Sequence, residues 1–319
     1  MGTYILRRLI LNILVLWLVA TMVFLSIRVL PGNYASQQFA GANLGGVSSE
    51  AIAQAERALG LDKPMPEQYA NFMGDLLTLD LGESFRTRNS TWSELRKALP
   101  YSAELGVFII LVGFSVAIPV GVISAVKQDQ TPDYILRGVA ISALAAPVFW
   151  TASIAVIFVL EWDLIQINVT GQPHVWSDPW GAIQWYMIPG FVGGFASTAT
   201  VMRLLRSELL EVLRQDYIRT ARAKGLTERT VIMRHAMRNA FLPVLTVMGL
   251  TLATLISSQI VLEQMFNIPG VGRMLFRSIT LRDYPLFQGL VIVTTFVIVT
   301  TNLAVDVLYG FLDPRVRLS

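Results

Sequence analysis

The amino-acid sequence predicts an all-α polytopic membrane protein with six transmembrane helices. Three observations carry that prediction. The 319-residue chain is 54% hydrophobic and only 15% charged, with a mean hydropathy of +0.55. Its apolar residues gather into runs of about twenty, the length that crosses the hydrocarbon core of a bilayer as a helix. The runs are continuous rather than alternating, and in lipid only helices and closed barrels satisfy every backbone group.

The six runs are Leu9–Leu30, Leu105–Val126, Gly138–Leu160, Ile183–Met202, Leu242–Leu262 and Leu286–Leu308. Arg7 and Arg8 precede the first run, as basic residues precede a signal peptide. That run is too long for such a segment, however, and ends in Arg28-Val-Leu-Pro31-Gly32 without a small-residue cleavage site. It therefore reads as a retained span. Pro119, Pro147 and Pro189 lie inside spans two, three and four, where each removes a backbone donor and disfavours a straight helix. The chain has no cysteine, which excludes disulfides, thiol nucleophiles and thiolate metal sites.

Residues 31–100 form a long extracytoplasmic segment, too long for a plain connector. Ser48 or Ser49 can cap a helix running to Leu59, with Ile52, Ala55 and Leu59 on one face and Gly60 as the stop. A second helix follows Pro64-Met-Pro66, with Tyr69, Phe72, Met73, Leu76 and Leu77 as its apolar stripe. Such a helix packs against the spans or the membrane surface; a platform for an outside partner is the alternative. In 161–186, Trp162, Trp176, Trp180, Trp185 and Tyr186 read as an aromatic belt rather than a substrate gate.

Lysines and arginines in short loops set the orientation. Arg7, Arg8, Lys127, Arg137, Arg315 and Arg317 fall on one side, and the alternate loop 161–182 carries no Lys or Arg. Both termini are thus expected in the cytoplasm. Arg273, Arg277 and Arg282 in the last outer loop depart from the pattern. The net charge of +3 is mostly this topology signal and does not point to nucleic acid. The domain reading is 1–30 for the N-terminus and first span, 31–100 for the outer segment, and 101–319 for the core, including a cytoplasmic loop at 203–243.

That loop carries the chemistry. Between Arg203 and Arg238 it holds nine cations against four acids, yet it has the grammar of two docked helices. Asp216 can cap a short helix, Tyr217–Lys224, which Gly225 ends in the left-handed C′ position. Thr227 can cap the next helix, with Glu228 at its positive end. On that helix Ile232, Ala236 and Ala240 form one stripe, Met233, Met237 and Phe241 another, and Arg229, Arg234 and Arg238 the remaining face. Pro243 marks entry into the fifth span. A solvated basic loop on anionic lipid explains the charge alone. A helix docked in a groove on a soluble subunit also explains the caps and the glycine.

The segment Asp216–Gly225 resembles the EAA loop of ATP-binding-cassette importer permeases, most closely the dipeptide/oligopeptide/nickel subfamily. Ala221 and Gly225 stand at that loop's second alanine and glycine, and Arg219 and Thr220 follow the peptide-subfamily form. His235, Arg238, Asn239 and Leu242-Pro243 continue the match. It extends over nearly the whole chain, through Leu59-Gly-Leu-Asp62-Lys63-Pro64, Asp80-Leu-Gly82-Glu-Ser84, Pro147-Val-Phe149-Trp150, Pro269-Gly270-Val-Gly272-Arg273 and Arg282-Asp283-Tyr284-Pro285. The long 31–100 segment is similar to that of the first of two paralogous permeases. Ile167-Asn-Val-Thr170-Gly171-Gln172 departs from the family pattern.

The resemblance implies the type I importer permease (MetI-like) fold. It also implies ATPase coupling through Asp216, Tyr217, Arg219, Thr220, Ala221, Arg222, Ala223, Lys224, Gly225 and Leu226, with His235, Arg238, Asn239 and Pro243 in the second helix. The expected partners are a paralogous permease in a heterodimer, two ATPase subunits, an extracytoplasmic substrate-binding protein and the lipid bilayer. The expected location is a bacterial or archaeal inner membrane. The expected cargo is di- or oligopeptides, with nickel chelates, glutathione or oligosaccharides as alternatives. The chain has no Gly-x-x-x-x-Gly-Lys-Ser/Thr loop, so ATP and Mg are expected to be used by the partner ATPases and no cofactor by this chain. It also lacks His-Glu-x-x-His and Gly-x-Ser-x-Gly, which argues against a metallo- or serine-type membrane enzyme. An ion-coupled transporter is the alternative within transport, but Glu104, Glu263, Asn302 and Asp306 form no proton-relay pattern. The lining of the substrate path is not legible in the sequence.

Overall fold

A computed structural model describes residues 2–29, 50, 54, 56, 57, 60–162 and 172–312. The helix expected to end at Leu59, most of the Ile167–Gln172 stretch and the Asp313-Pro314-Arg315 motif lie outside them, as does the Asp306 side chain.

Among the described residues the chain is helical, with one isolated bridge between Glu83 and Ser90. The helices are α1 (Gly2–Val29), α2 (Met65–Leu77), α3 (Thr91–Val126), α4 (Thr131–Ala145), α5 (Val148–Glu161) and α6 (Pro179–Leu213). They continue with α7 (Asp216–Ala223), a single turn α8 (Glu228–Thr230), a π-helical turn at Val231–Ala236, α9 (Met237–Met265), α10 (Val271–Thr280) and α11 (Tyr284–Leu312). Helices α1, α3, α6 and α11 are each long and apolar enough to cross a membrane. Along α1, Leu9, Ile10, Ile13 and Trp17 are exposed in the isolated chain, as side chains that face lipid would be.

The third expected span is not one straight helix. It breaks between Ala145 and Val148, and α4 and α5 meet there at 108°. Pro147 explains the break: it brings no N–H to the carbonyl of Ala143, and its ring disfavours the α conformation at Ala146. Ala146 is extended, with φ −79° and ψ 124°. Pro119 and Pro189, by contrast, are absorbed within α3 and α6.

Two compact units divide the chain, residues 1–100 with 269–319 and residues 101–268. In the first, α1 packs along α11. Tyr69 and Phe72 of α2 meet Phe24 of α1 at 5.2 and 5.4 Å between ring centroids. The α2 stripe is thus used for packing, except that Leu77 is 84% exposed. Two stretches singled out in the sequence also meet here. The buried Asp283 carboxylate accepts from the Ser84 hydroxyl and from the Phe85 N–H at 3.0 Å. The Gly82 N–H caps the loop on Asp80 Oδ1 at 2.9 Å.

In the second unit α6 is central, lying against α4, α5 and α9. A Cβ at Gly194 would fall 3.0 Å from the Gly113 Cα, so α3 and α6 approach closely enough there to require glycine. The core joins Leu105, Ile109, Tyr186 and Leu262. Trp185 and Tyr186 therefore belong to this core and not to the expected belt, whereas Trp162, Trp176 and Trp180 are exposed. Glu104 and Glu263 are buried. Glu104 accepts from the Val175 N–H at 3.1 Å and lies 3.2 Å from His174 Nδ1. Glu263 accepts from Ser102 at 2.6 Å.

Candidate functional site

The 203–243 loop is more helical than its sequence suggests. Helix α6 continues to Leu213, so Arg203 and Arg206 belong to a helix and not to a solvated loop. Arg206 is withdrawn into an ion pair: its Nε and Nη2 donate to Asp133 at 2.8 and 2.7 Å. Asp133 is fully buried, and its carboxylate also accepts from the Ser124 hydroxyl and from the Asp129 N–H at 3.0 Å. Such a buried carboxylate is tolerated because its lone pairs are taken up by donors. The clamp ties α3, the turn after it, α4 and α6 together.

Helix α7 begins at Asp216, with Gln215 in the capping position and no side-chain cap. Asp216 is thus the first helical residue and not the cap expected for it. Its carboxylate sits favourably at the positive helix end and pairs with Arg219 at 3.3 Å. Ile218 and Ala221, one turn apart, are buried among Ala125, Leu209, Val231, Ile232, Ala236 and Ala240. Tyr217, Arg219, Thr220, Arg222, Ala223 and Lys224 remain exposed.

Gly225 follows at C′ with φ +78°, and its N–H donates to the Arg222 carbonyl at 2.9 Å. A Cβ there would meet nothing within 4 Å, so the demand for glycine is conformational and not steric. Arg222 reaches across the break to Glu228, with Nη2 to Oε1 at 2.6 Å and Nε to Oε2 at 3.1 Å. Asn239 Nδ2 donates to the Tyr217 hydroxyl at 2.8 Å. Two polar links and two buried side chains therefore fix α7 against α8, the π turn and the start of α9.

The second helix differs from expectation in three ways. Thr227 occupies the capping position but makes no cap to the backbone; its hydroxyl meets that of Thr230 at 2.9 Å. The segment is not a separate helix ending before Pro243, because it runs through the π turn Val231–Ala236 into α9, with Pro243 inside α9. Ile232, Ala236 and Ala240 are buried as expected and Arg229, Arg234 and Arg238 are exposed, but Met233 is 58% exposed while Met237 and Phe241 pack inward. The π turn adds a residue per turn and rotates the faces, and such turns recur at functional sites. His235 is half-buried within it.

The loop thus presents an outward surface of α7 together with Leu226 and Met233, mixed apolar and basic. A family model described as "Binding-protein-dependent transport system inner membrane component" matches residues 117–318, and its N-terminal companion matches residues 1–106. The chain belongs to this family. It is 37% identical to the dipeptide transport system permease protein DppB of Escherichia coli K12, over 98% of each chain. It is 36% identical to the DppB protein of Alkalihalophilus pseudofirmus, over 99% of this chain and 100% of that one. A di/tripeptide transport system permease of Pseudomonas aeruginosa is 34% identical over 99% of each. A crystal structure of an amino acid ABC transporter shares the fold, with a TM-score of 0.52 at 12% identity over 68% of this chain and 94% of that one.

As a member of the binding-protein-dependent transport family, the chain is a multi-pass inner-membrane permease subunit of an ATP-binding-cassette importer and contributes to its translocation path. Sequence reasoning missed the Asp133–Arg206, Arg222–Glu228 and Tyr217–Asn239 pairs. Only the second left a signal, opposite charges six residues apart around a glycine.

Proposed function

We propose that this chain passes di- or oligopeptides through an importer powered by separate ATPase subunits, and that α7 is the element those ATPases move. The reading of α7 rests on one observation. Ile218 and Ala221 anchor it while Tyr217, Thr220, Ala223 and Lys224 of the same short helix stay exposed. A helix so anchored transmits force as a rigid body, which suits alternating access. The peptide cargo is carried over from the named substrates of the three relatives. In this reading the chain pairs with a paralogous permease, two ATPases bind on the cytoplasmic side with both termini, and a binding protein delivers cargo from outside. The chain itself holds neither ATP nor Mg and performs no catalysis.

The test is reconstitution of the complete complex in proteoliposomes with its binding protein. Dialanine uptake is expected only with ATP hydrolysis and is expected to persist when ion gradients are collapsed. Uptake without the ATPases, following an ion gradient, overturns the proposal.

A further inference from the structure

The break in the third span opens onto a cavity of about 280 Å³ within the second unit, lined by Ala143, Leu144, Thr151, Gly193, Ser197 and Thr200 among others. Only the Gly138–Ala145 part of α4 belongs to the apolar third span, so its rise carries the break about 12 Å into a hydrocarbon core about 30 Å thick. Non-helical backbone at that depth persists where protein buries it or where it lines a water-filled cavity. Here Pro147 brings no N–H to the Ala143 carbonyl, Ala143 itself is buried, and the residues on both sides of the break line the cavity.

The side-chain chemistry points the same way. Thr151 donates its hydroxyl proton to the Val148 carbonyl at 3.0 Å, Ser197 to Gly194 at 2.8 Å and Thr200 to Ala196 at 3.2 Å. With their protons committed to their own helices, these oxygens offer lone pairs to the cavity. Among the described residues the lining carries no charged side chain. The site is therefore rich in acceptors and without formal charge, suited to N–H donors.

We infer that this cavity is a water-filled station on the substrate path, where the hydroxyl oxygens of Thr151, Ser197 and Thr200 beside the α4–α5 break receive the main-chain N–H groups of a short peptide in transit. Main-chain recognition of this kind is indifferent to side chains, as a path serving many peptides requires. The inference rests on the peptide reading above, but the wetness of the cavity does not.

The natural absence of cysteine makes the test direct. Ser197→Cys and Thr200→Cys are introduced singly into the complete complex and exposed to a small cationic methanethiosulfonate. Ile157→Cys, at an apolar position 63% exposed on α5 and outside the cavity, is the control. Both cavity thiols are expected to react at least about tenfold faster than the control, since each unit by which an apolar site raises a thiol pKa removes about tenfold of its thiolate. Dialanine-loaded binding protein with ATP is expected to slow Ser197→Cys labelling several-fold. Labelling no faster than at Ile157→Cys overturns the inference by showing a dry cavity. Fast labelling that turnover with dialanine leaves unchanged, in complexes that import dialanine, overturns it by placing the cavity off the path. Failure of the unmodified complex to import dialanine overturns the peptide reading instead, and with it the proposed occupant.

Discussion

Asp133 and Arg206 form a two-point ion pair at 2.8 and 2.7 Å, with the carboxylate fully buried. The pair stands directly behind the socket of α7. Ser124, which donates to Asp133, precedes Ala125 of the cluster holding Ile218, and Arg206 lies one turn before Leu209 of the same cluster. Removing one partner strands the other. Asp133→Ala or Arg206→Met is expected to destabilise the purified complex by about 3–5 kcal/mol, whereas the double variant recovers part of that loss. Thermal unfolding of the four species in a double-mutant cycle checks it; additive losses contradict the pairing.

Gly225 separates a conformational demand from a steric one. Placing an ordinary residue at φ +78° costs about 1–2 kcal/mol, and no neighbour stands in the way of its Cβ. Gly225→Ala is expected to keep most uptake. Gly225→Val, β-branched and poorly suited to positive φ, is expected to lower uptake more than ATPase activity. Equal uptake in both variants contradicts the assignment of Gly225 as the break that sets the α7 direction.

The hydrogen-bonded Arg222 guanidinium holds the Glu228 carboxyl below its ordinary value of 4.5. Because the folded value is depressed, the contact supports the turn above the unfolded carboxylate pKa and is lost as pH falls through the depressed value. Both side chains are largely in water, so the effect is local. Amide hydrogen exchange at 225–230, corrected for intrinsic rates, is expected to lose protection on acidification below about pH 4.5 in the parent but not in Glu228→Gln. Identical pH profiles contradict the contact.

Much of this architecture could be read from residue pattern because bilayers are demanding solvents. Continuous apolar runs locate α1, α3, α6 and α11, and the glycine directly after Tyr217–Lys224 marks the C′ position. What escaped depends on three-dimensional partners. Asp133 and Arg206 stand seventy-three residues apart, and nothing local marks them as a pair. The π turn at Val231–Ala236 has an ordinary amphipathic sequence, so the continuity from α8 into α9 and the outward turn of Met233 were hidden. Pro147 was visible as a bend, but proline alone does not distinguish it from Pro119 or Pro189, which the helices absorb. The difference lies in the extended Ala146 and the cavity beside it.

In the coupling proposed for α7, its exposed face seats in an ATPase subunit. Thr220→Cys, labelled with a benzophenone maleimide in the otherwise cysteine-free chain and photolysed in the complete complex, tests it most directly. The predicted result is a covalent adduct with an ATPase subunit whose yield changes between nucleotide-free and ATP-trapped states, while the same probe at Ile157→Cys yields none. Adducts only with lipid or with the other permease, in complexes that hydrolyse ATP and import dialanine normally, would contradict it.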